Sequence, residues 1–229
     1  MKNILITGAA GGIGKEISKK FILEGYRVYS IDLDTLDLGD NFINLIGDVT
    51  SLSSLKEIKE KIKDIKFNHI ITLAGRALED EWKPVSDISL ETIHDSINLN
   101  LVGQLNVISL FLDQLIDSVT LVSSINAYGG FGLPFYSAAK AGLIGYMNTV
   151  KDEFKENHHR INIIAPGTIV TEATLKEPKD FSELLKMTDH GRFATAEEVG
   201  ELAYSICELS SRHGEVIIID EGQLKHKSK

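Results

Sequence analysis

The 229-residue chain has a single cysteine, Cys207, so it cannot close an internal disulfide, and this fits a reducing compartment. Long apolar runs are missing as well. Met1-Lys2-Asn3 leads straight into Ile4-Leu5-Ile6, a stretch far too short for a signal-peptide core or a membrane span. No later run approaches ~18 apolar residues, the length a spanning helix requires. Basic charge is outweighed: 24 Lys and Arg stand against 33 Asp and Glu, a net charge of −9, which argues against non-specific nucleic-acid binding. Repeats and low-complexity segments are absent. These absences predict a cytoplasmic protein with no membrane or nucleic-acid role. The 43% hydrophobic content is enough for one large domain spanning residues 1–229.

Short apolar runs alternate with helix-length segments. Strands are expected at Asn3–Thr7, Arg27–Ile31, Phe42–Ile46, Asn68–Leu73, Val119–Ser123, Arg160–Ile164 and Glu215–Ile219. Helical patterns cover Gly12–Leu23, Ser51–Asp64, Asp87–Ile116, Ser137–Glu156 and Thr195–Leu209. Strands this rich in Ile, Leu and Val suit a parallel sheet buried on both faces. The alternation predicts a Rossmann-type, doubly wound α/β fold, with seven mostly parallel strands and helices on both faces. The most irregular segment, about residues 171–191, carries Pro178 and mixed charge. It follows the sixth strand, at the edge where such sheets bind ligands, and is expected to act as a short substrate lid. Lys225 to Lys229 reads as a disordered polar tail.

Three groups of residues carry chemistry. Thr7-Gly8-Ala9-Ala10-Gly11-Gly12-Ile13-Gly14 follows a strand and opens a helix. Its glycines let the backbone turn sharply and approach a pyrophosphate, which the helix N-terminus attracts. The spacing is not the usual G-x-G-x-x-G. Asp32 ends the second strand, 18 residues beyond Gly14. A carboxylate there accepts both ribose hydroxyls of NAD and repels the 2′-phosphate of NADP. Gly11 before Gly12 offers no arginine to such a phosphate, so NAD is favoured over NADP. Asp48, in Gly47-Asp48-Val49, either accepts from an adenine amino group or caps the helix beginning near Ser51. The third group is the pair Ser123-Ser124 at a strand end, followed by Tyr136 and Lys140 four residues apart on one helix face.

In this order, the motifs resemble the classical short-chain dehydrogenase/reductase family over nearly the whole chain. Thr7 to Gly14 matches its TGxxxGxG turn, and Ala74-Gly75 the end of its NNAG motif. Asn100-Leu101-Val102-Gly103 resembles the segment bearing the family's catalytic asparagine, with Asn98 as a competitor. Ser124, Tyr136 and Lys140 match its Ser and YxxxK. Pro166-Gly167-Thr168-Ile169-Val170-Thr171 resembles the segment that meets the nicotinamide. Two departures stand out. Thr72-Leu73 replaces the paired asparagines, so the bracing of this strand must differ. The family's serine stands one residue farther from the tyrosine, at the spacing of Ser123, yet the second serine of the pair is usually the catalytic one.

The resemblance implies that Tyr136 is the general acid in reduction and the general base in oxidation. A phenol's pKa of about 10 is too high for this, and a nearby ammonium, Lys140, lowers it. Ser124 holds the substrate oxygen, and Asn100 anchors a water that links Lys140 to solvent. Lys140 and Tyr136 also contact the cofactor, along with Thr7, Gly8, Gly12, Ile13 and Gly14 at the turn. Asp32, Asp48, Val49, Ala74 and Gly75 complete the adenosine side and floor. Pro166, Gly167, Ile169 and Thr171 face the nicotinamide, Thr171 with helix capping as its competing role. No metal-ligand spacing occurs. The expected activity is hydride transfer between NAD and a small alcohol or ketone, with an NADP-dependent ketoacyl-type reductase or a non-catalytic NAD-binding protein as alternatives. A homodimer or homotetramer is expected. Arg76, Trp82 and Lys83 fall in a variable segment near the substrate.

Overall fold

The structure is a computed structural model that describes residues 1–129, 131–172, 174–176 and 180–227. Seven strands form one sheet: β1 (Lys2–Thr7), β2 (Tyr26–Asp32), β3 (Phe42–Ile46), β4 (Phe67–Thr72), β5 (Leu115–Val122), β6 (Arg160–Pro166) and β7 (Val216–Ile219). Their order is β3-β2-β1-β4-β5-β6-β7, and every pairing is parallel. Helices α1 (Gly12–Leu23) and α7 (Ala196–Glu208) cover one face, while α2 (Leu52–Lys61), α4 (Gly103–Phe111) and α5 (Pro134–Glu156) cover the other.

Alternation along each strand explains the two cores. In β1, Leu5 joins the cluster of Val107, Phe111, Leu143 and Met147, whereas Ile4 and Ile6 join that of Ile17, Phe21, Val199 and Ala203. All three β1 side chains are fully buried, as a central parallel strand requires. Helix ends follow local chemistry. Gly25 stops α1 at φ +82°, donating to Ile22 O, and Thr195 with Glu198 builds a capping box on α7.

Four expectations need correction. The long pattern at Asp87–Ile116 is α3 (Leu90–Ile97), a π-helical turn (Asn98–Val102) and α4, after which Leu115 and Ile116 already belong to β5. Leu115 pairs with Phe67, so β4 recruits residues whose spacing had continued the helix. Helix α5 starts at Pro134 rather than Ser137, because proline at N1 lacks only an N–H that has no helical partner. Asp48 does not cap α2; Ser51 does, accepting from Ser54 N at 3.3 Å. The tail is ordered further than expected: α8 (Gln223–Lys227) includes fully buried Gln223, while Ser228 and Lys229 lie outside the described residues. Pro178 also lies outside them. The described parts of the lid segment form a 3-10 turn (Thr174–Lys176) and the short α6 (Phe181–Leu185).

The strand that lacks paired asparagines has another brace. Thr72 Oγ1 donates to Gln104 Oε1 at 2.9 Å, and Gln104 Nε2 donates to Val122 O at 3.2 Å. Gln104 is fully buried and ties the end of β4 to the end of β5. Gln104→Ala leaves the buried Thr72 hydroxyl without its acceptor and takes one of two side-chain donors from Val122 O, which keeps Lys140 Nζ, so unfolding in urea is expected to cost about 1–3 kcal/mol less than in the parent chain. A change below ~0.5 kcal/mol, the range of an ordinary surface substitution, contradicts this brace.

Candidate active site

Strand order reverses between β1 and β4, and their carboxyl ends open a cleft of about 1230 Å³. Thr7 lies beneath its floor, fully buried, and is not one of its lining residues. Its Oγ1 accepts from Leu73 N at 3.1 Å and Ala74 N at 3.2 Å, which fixes where the chain leaves β4. Gly8 follows at φ +75°, where a Cβ would come within 2.8 Å of the Ala74 backbone. A Cβ on Gly14 would stand 2.2 Å from the Gly8 carbonyl oxygen, so α1 begins pressed against the turn. The N-cap of α1 is Gly11, with no side-chain cap and no acidic residue in the first turn. Its leading N–H groups are therefore available to an anion at the cleft floor.

Asp32 lies at the edge of the same turn. Its Oδ2 accepts from Ala10 N at 2.9 Å and its Oδ1 from Asp34 N at 3.2 Å. Asp48 and Val49 line the cleft beside it. The Asp48 carboxylate accepts from Thr50 N and Thr50 Oγ1 at 2.8 and 2.7 Å, which closes a local turn.

The opposite end gathers Ser124, Tyr136 and Lys140 on one wall. Ser123 Oγ donates to the Lys140 carbonyl at 2.8 Å and is thereby committed to fastening α5. Ser124 Oγ accepts from Asn126 N at 3.2 Å and donates to Asn126 Oδ1 at 3.2 Å, at the start of a 3-10 turn. Lys140 is 2% exposed; its Nζ donates to Val122 O at 2.9 Å and stands 5.6 Å from the centre of the Tyr136 ring. Burial lowers its pKa from 10.5 to about 7. The ammonium expected beside Tyr136 is therefore fully formed only below neutral pH in the unliganded chain.

Asn100 sits in the π-helical turn, fully buried and behind the cleft rather than among its lining residues, whereas Asn98 is exposed and also off the cleft. Asn100 Nδ2 donates to Arg76 O at 2.9 Å and Ser96 O at 3.0 Å, while its Oδ1 has no hydrogen-bond partner. A Cβ on Gly75 would lie 2.5 Å from that oxygen and 3.5 Å from Lys140 Nζ, so glycine keeps the space between them open. Pro166, Gly167, Ile169 and Thr171 form the remaining wall. Thr171 packs over Gly12, and its N–H donates to Thr174 Oγ1 at 2.8 Å. Gln223, which no sequence motif announced, accepts from Thr168 N at 2.7 Å and holds this wall from below. Arg76 and Trp82 line the cleft; Lys83 instead pairs with Asp80 at 2.7 Å.

A buried lysine of lowered pKa has a signed effect on stability. Between about pH 7 and 10.5 the unfolded chain holds a proton that the folded chain lacks, so stability rises with pH through that window and is lowest below it. Lys140→Met removes this cost. Its thermal midpoint is expected to exceed the parent's at pH 6, with the gap closing toward pH 10. A gap that does not change with pH contradicts the assigned burial effect.

The family model for short chain dehydrogenases matches residues 2–181. A curated relative, the 3-oxoacyl-(acyl-carrier-protein) reductase FabG of Thermotoga maritima, is 32% identical, with 96% of this chain and 97% of the relative covered. Carbonyl reductase family member 4 of Xenopus tropicalis is 29% identical, with 95% of each chain covered. The fold is shared with a solved 3-oxoacyl-(acyl-carrier-protein) reductase from Brucella melitensis with bound NAD, at TM-score 0.86 and 22% identity over 97% of this chain and 91% of that one. With the family model spanning most of its length and full-length relatives on both sides, the chain belongs to the short-chain dehydrogenase/reductase family, oxidoreductases that work with a nicotinamide cofactor.

Proposed function

We propose that this protein is an NAD-linked oxidoreductase that interconverts a small alcohol and the corresponding ketone. The observation that carries the reading is one cleft with an uncapped helix N-terminus and Asp32 at one end and Ser124, Tyr136 and Lys140 at the other, with Asn100 buried behind Gly75. The residues fit a dinucleotide. The glycine turn and the open N-terminus of α1 suit a pyrophosphate, and Asp32, held by Ala10 N, suits a pair of ribose hydroxyls and disfavours a 2′-phosphate. When bound, the nicotinamide supplies or accepts the hydride.

The protein's own residues handle the proton and the oxygen. In reduction, Tyr136 gives its phenolic proton to the carbonyl oxygen as negative charge develops there; in oxidation it takes that proton back. Ser124 donates to the same oxygen, since its neighbour Ser123 is engaged with Lys140 O. Protonated Lys140 favours the phenolate by charge, and an anionic phenolate in turn favours the lysine's protonated form. The unpaired Asn100 Oδ1 and the opening over Gly75 suit a water between Asn100 and Lys140 that resupplies the proton. Thr7 acts from beneath the turn, while Pro166, Gly167, Ile169 and Thr171 border the nicotinamide end.

The names of the reductase relatives favour a second reading, a β-ketoacyl thioester as substrate. In either case residues 1–229 act as one domain, with the segment around 171–191 closing over substrate. Assembly as a homodimer or homotetramer is supported by exposed apolar side chains on the edge strand and on α4's approach, Ile218 and Val102.

Two measurements test the reading. Fluorescence titration is expected to give NADH at least about tenfold tighter binding than NADPH; equal or tighter NADPH binding contradicts the role of Asp32. A panel of acetoacetyl-CoA, diacetyl and cyclohexanone then provides the turnover assay, in which Tyr136→Phe is expected to lower kcat by about 10²–10⁴-fold with NADH affinity retained. A Tyr136→Phe enzyme of parental kcat contradicts the proton-transfer role.

A further inference from the structure

The helix carrying Tyr136 and Lys140 begins without a cap of its own. Its N-cap residue is Leu133, apolar and held at φ +55°, a region a leucine rarely enters. Neither Leu133 nor Pro134 offers a side-chain acceptor, so the first N–H groups of α5 must find partners elsewhere. They find one carboxylate. Glu81 Oε2 accepts from Phe135 N at 3.0 Å and from Tyr136 N at 2.7 Å. Its Oε1 accepts from Ser96 Oγ at 2.5 Å.

Glu81 is 2% exposed, and a carboxylate in that setting is costly unless its oxygens are hydrogen-bonded. Here three donors and the positive end of a 23-residue helix satisfy it. Among the described residues its partners are N–H and O–H groups, with no Lys or Arg ion pair. The same serine reaches the other half of the site, because the Ser96 carbonyl accepts from Asn100 Nδ2 at 3.0 Å. Glu81 therefore joins the backbone of Tyr136 to the helix that orients Asn100. It comes from a 3-10 turn (Glu79–Trp82) in the segment after β4, where sequence spacing gives no hint of a cap.

We propose that Glu81 is a positioning residue for the reaction: by holding the N–H groups of Phe135 and Tyr136 it sets where α5 starts and how it is rotated, and so where the Tyr136 hydroxyl stands relative to Ser124 and Asn100. The inference rests on the assignment of Tyr136 as the proton-transfer group. A misplacement of about 1 Å in such a group costs on the order of 10²-fold in rate. Glu81→Ala removes the contact. Glu81→Gln keeps one oxygen for the two backbone N–H groups and turns its amide toward Ser96, which can accept from it.

The test compares kcat, KM and NADH affinity on whichever of acetoacetyl-CoA, diacetyl or cyclohexanone is turned over. Glu81→Ala is expected to lose at least about tenfold in kcat, with NADH affinity within about twofold of the parent's. Glu81→Gln is expected to restore kcat to within about threefold. Phe154→Leu, a buried change at the far end of α5, controls for general loss of stability. Hydrogen exchange reads the contact without turnover: Phe135 and Tyr136 amides should lose protection in Glu81→Ala while Leu143 keeps its own. The proposal is overturned if those amides stay protected. It is equally overturned if Glu81→Ala keeps parental kcat, or if it loses no more than Phe154→Leu at equal loss of melting temperature. Tyr136→Phe run in parallel separates the two failures: a dead Tyr136→Phe beside a fully active Glu81→Ala sinks only the positioning role, whereas an active Tyr136→Phe sinks the reading of the site itself.

Discussion

The hydroxyl of Thr7 holds the backbone N–H groups of Leu73 and Ala74, and the cleft depends on this clamp. Strands β1 and β4 are neighbours whose following chains leave in opposite directions, so their ends tend to part. A fully buried side-chain acceptor keeps them in contact, and Gly8 permits an approach that any Cβ would block. Once that junction is fixed, the glycine turn, the start of α1 and the exit toward Gly75 have defined positions. Gln104 repeats the device one strand over, joining Thr72 to the end of β5 just before Ser123 and Ser124.

The site then concentrates polar groups that are themselves buried. Lys140 is nearly fully buried with a single carbonyl partner, and its proton is held loosely near neutral pH. Asn100 presents an unpaired oxygen to the same space. Such arrangements are costly in a static protein and useful in one that moves protons, because small changes in local charge shift the population of each protonation state. The stiff surroundings, with Ser123 bound to the Lys140 carbonyl and Glu81 bound to the Tyr136 N–H, limit how far these groups can relax away from one another.

Much of this was legible in the sequence. Continuous Ile, Leu and Val runs gave the seven strands, and the ordered glycine turn, serine pair and Tyr-Lys pair pointed to the two ends of one cleft. The misreadings have physical causes. Leu115 and Ile116 continue a helical spacing, but both belong to β5, where Leu115 pairs with Phe67 of β4. The helix expected from Ser137 begins three residues earlier, with Pro134 as its first residue. Of the two roles open to Asp48, capping is excluded because Ser51 occupies that position. The residues that escaped notice altogether, Gln104, Gln223 and Glu81, act on backbone groups that are distant in sequence. Long-range side-chain bonds to backbone leave no periodic trace, so only the fold reveals them.

The proposed function places one NAD molecule in this crevice, from Asp32 to Tyr136. A crystal structure of the chain grown with NAD tests it most directly. The adenosine ribose hydroxyls are expected on the Asp32 carboxylate, the pyrophosphate over the N-terminus of α1, and the nicotinamide ring beside Tyr136. A dinucleotide bound outside the crevice, or one whose ribose lies away from Asp32, would contradict it.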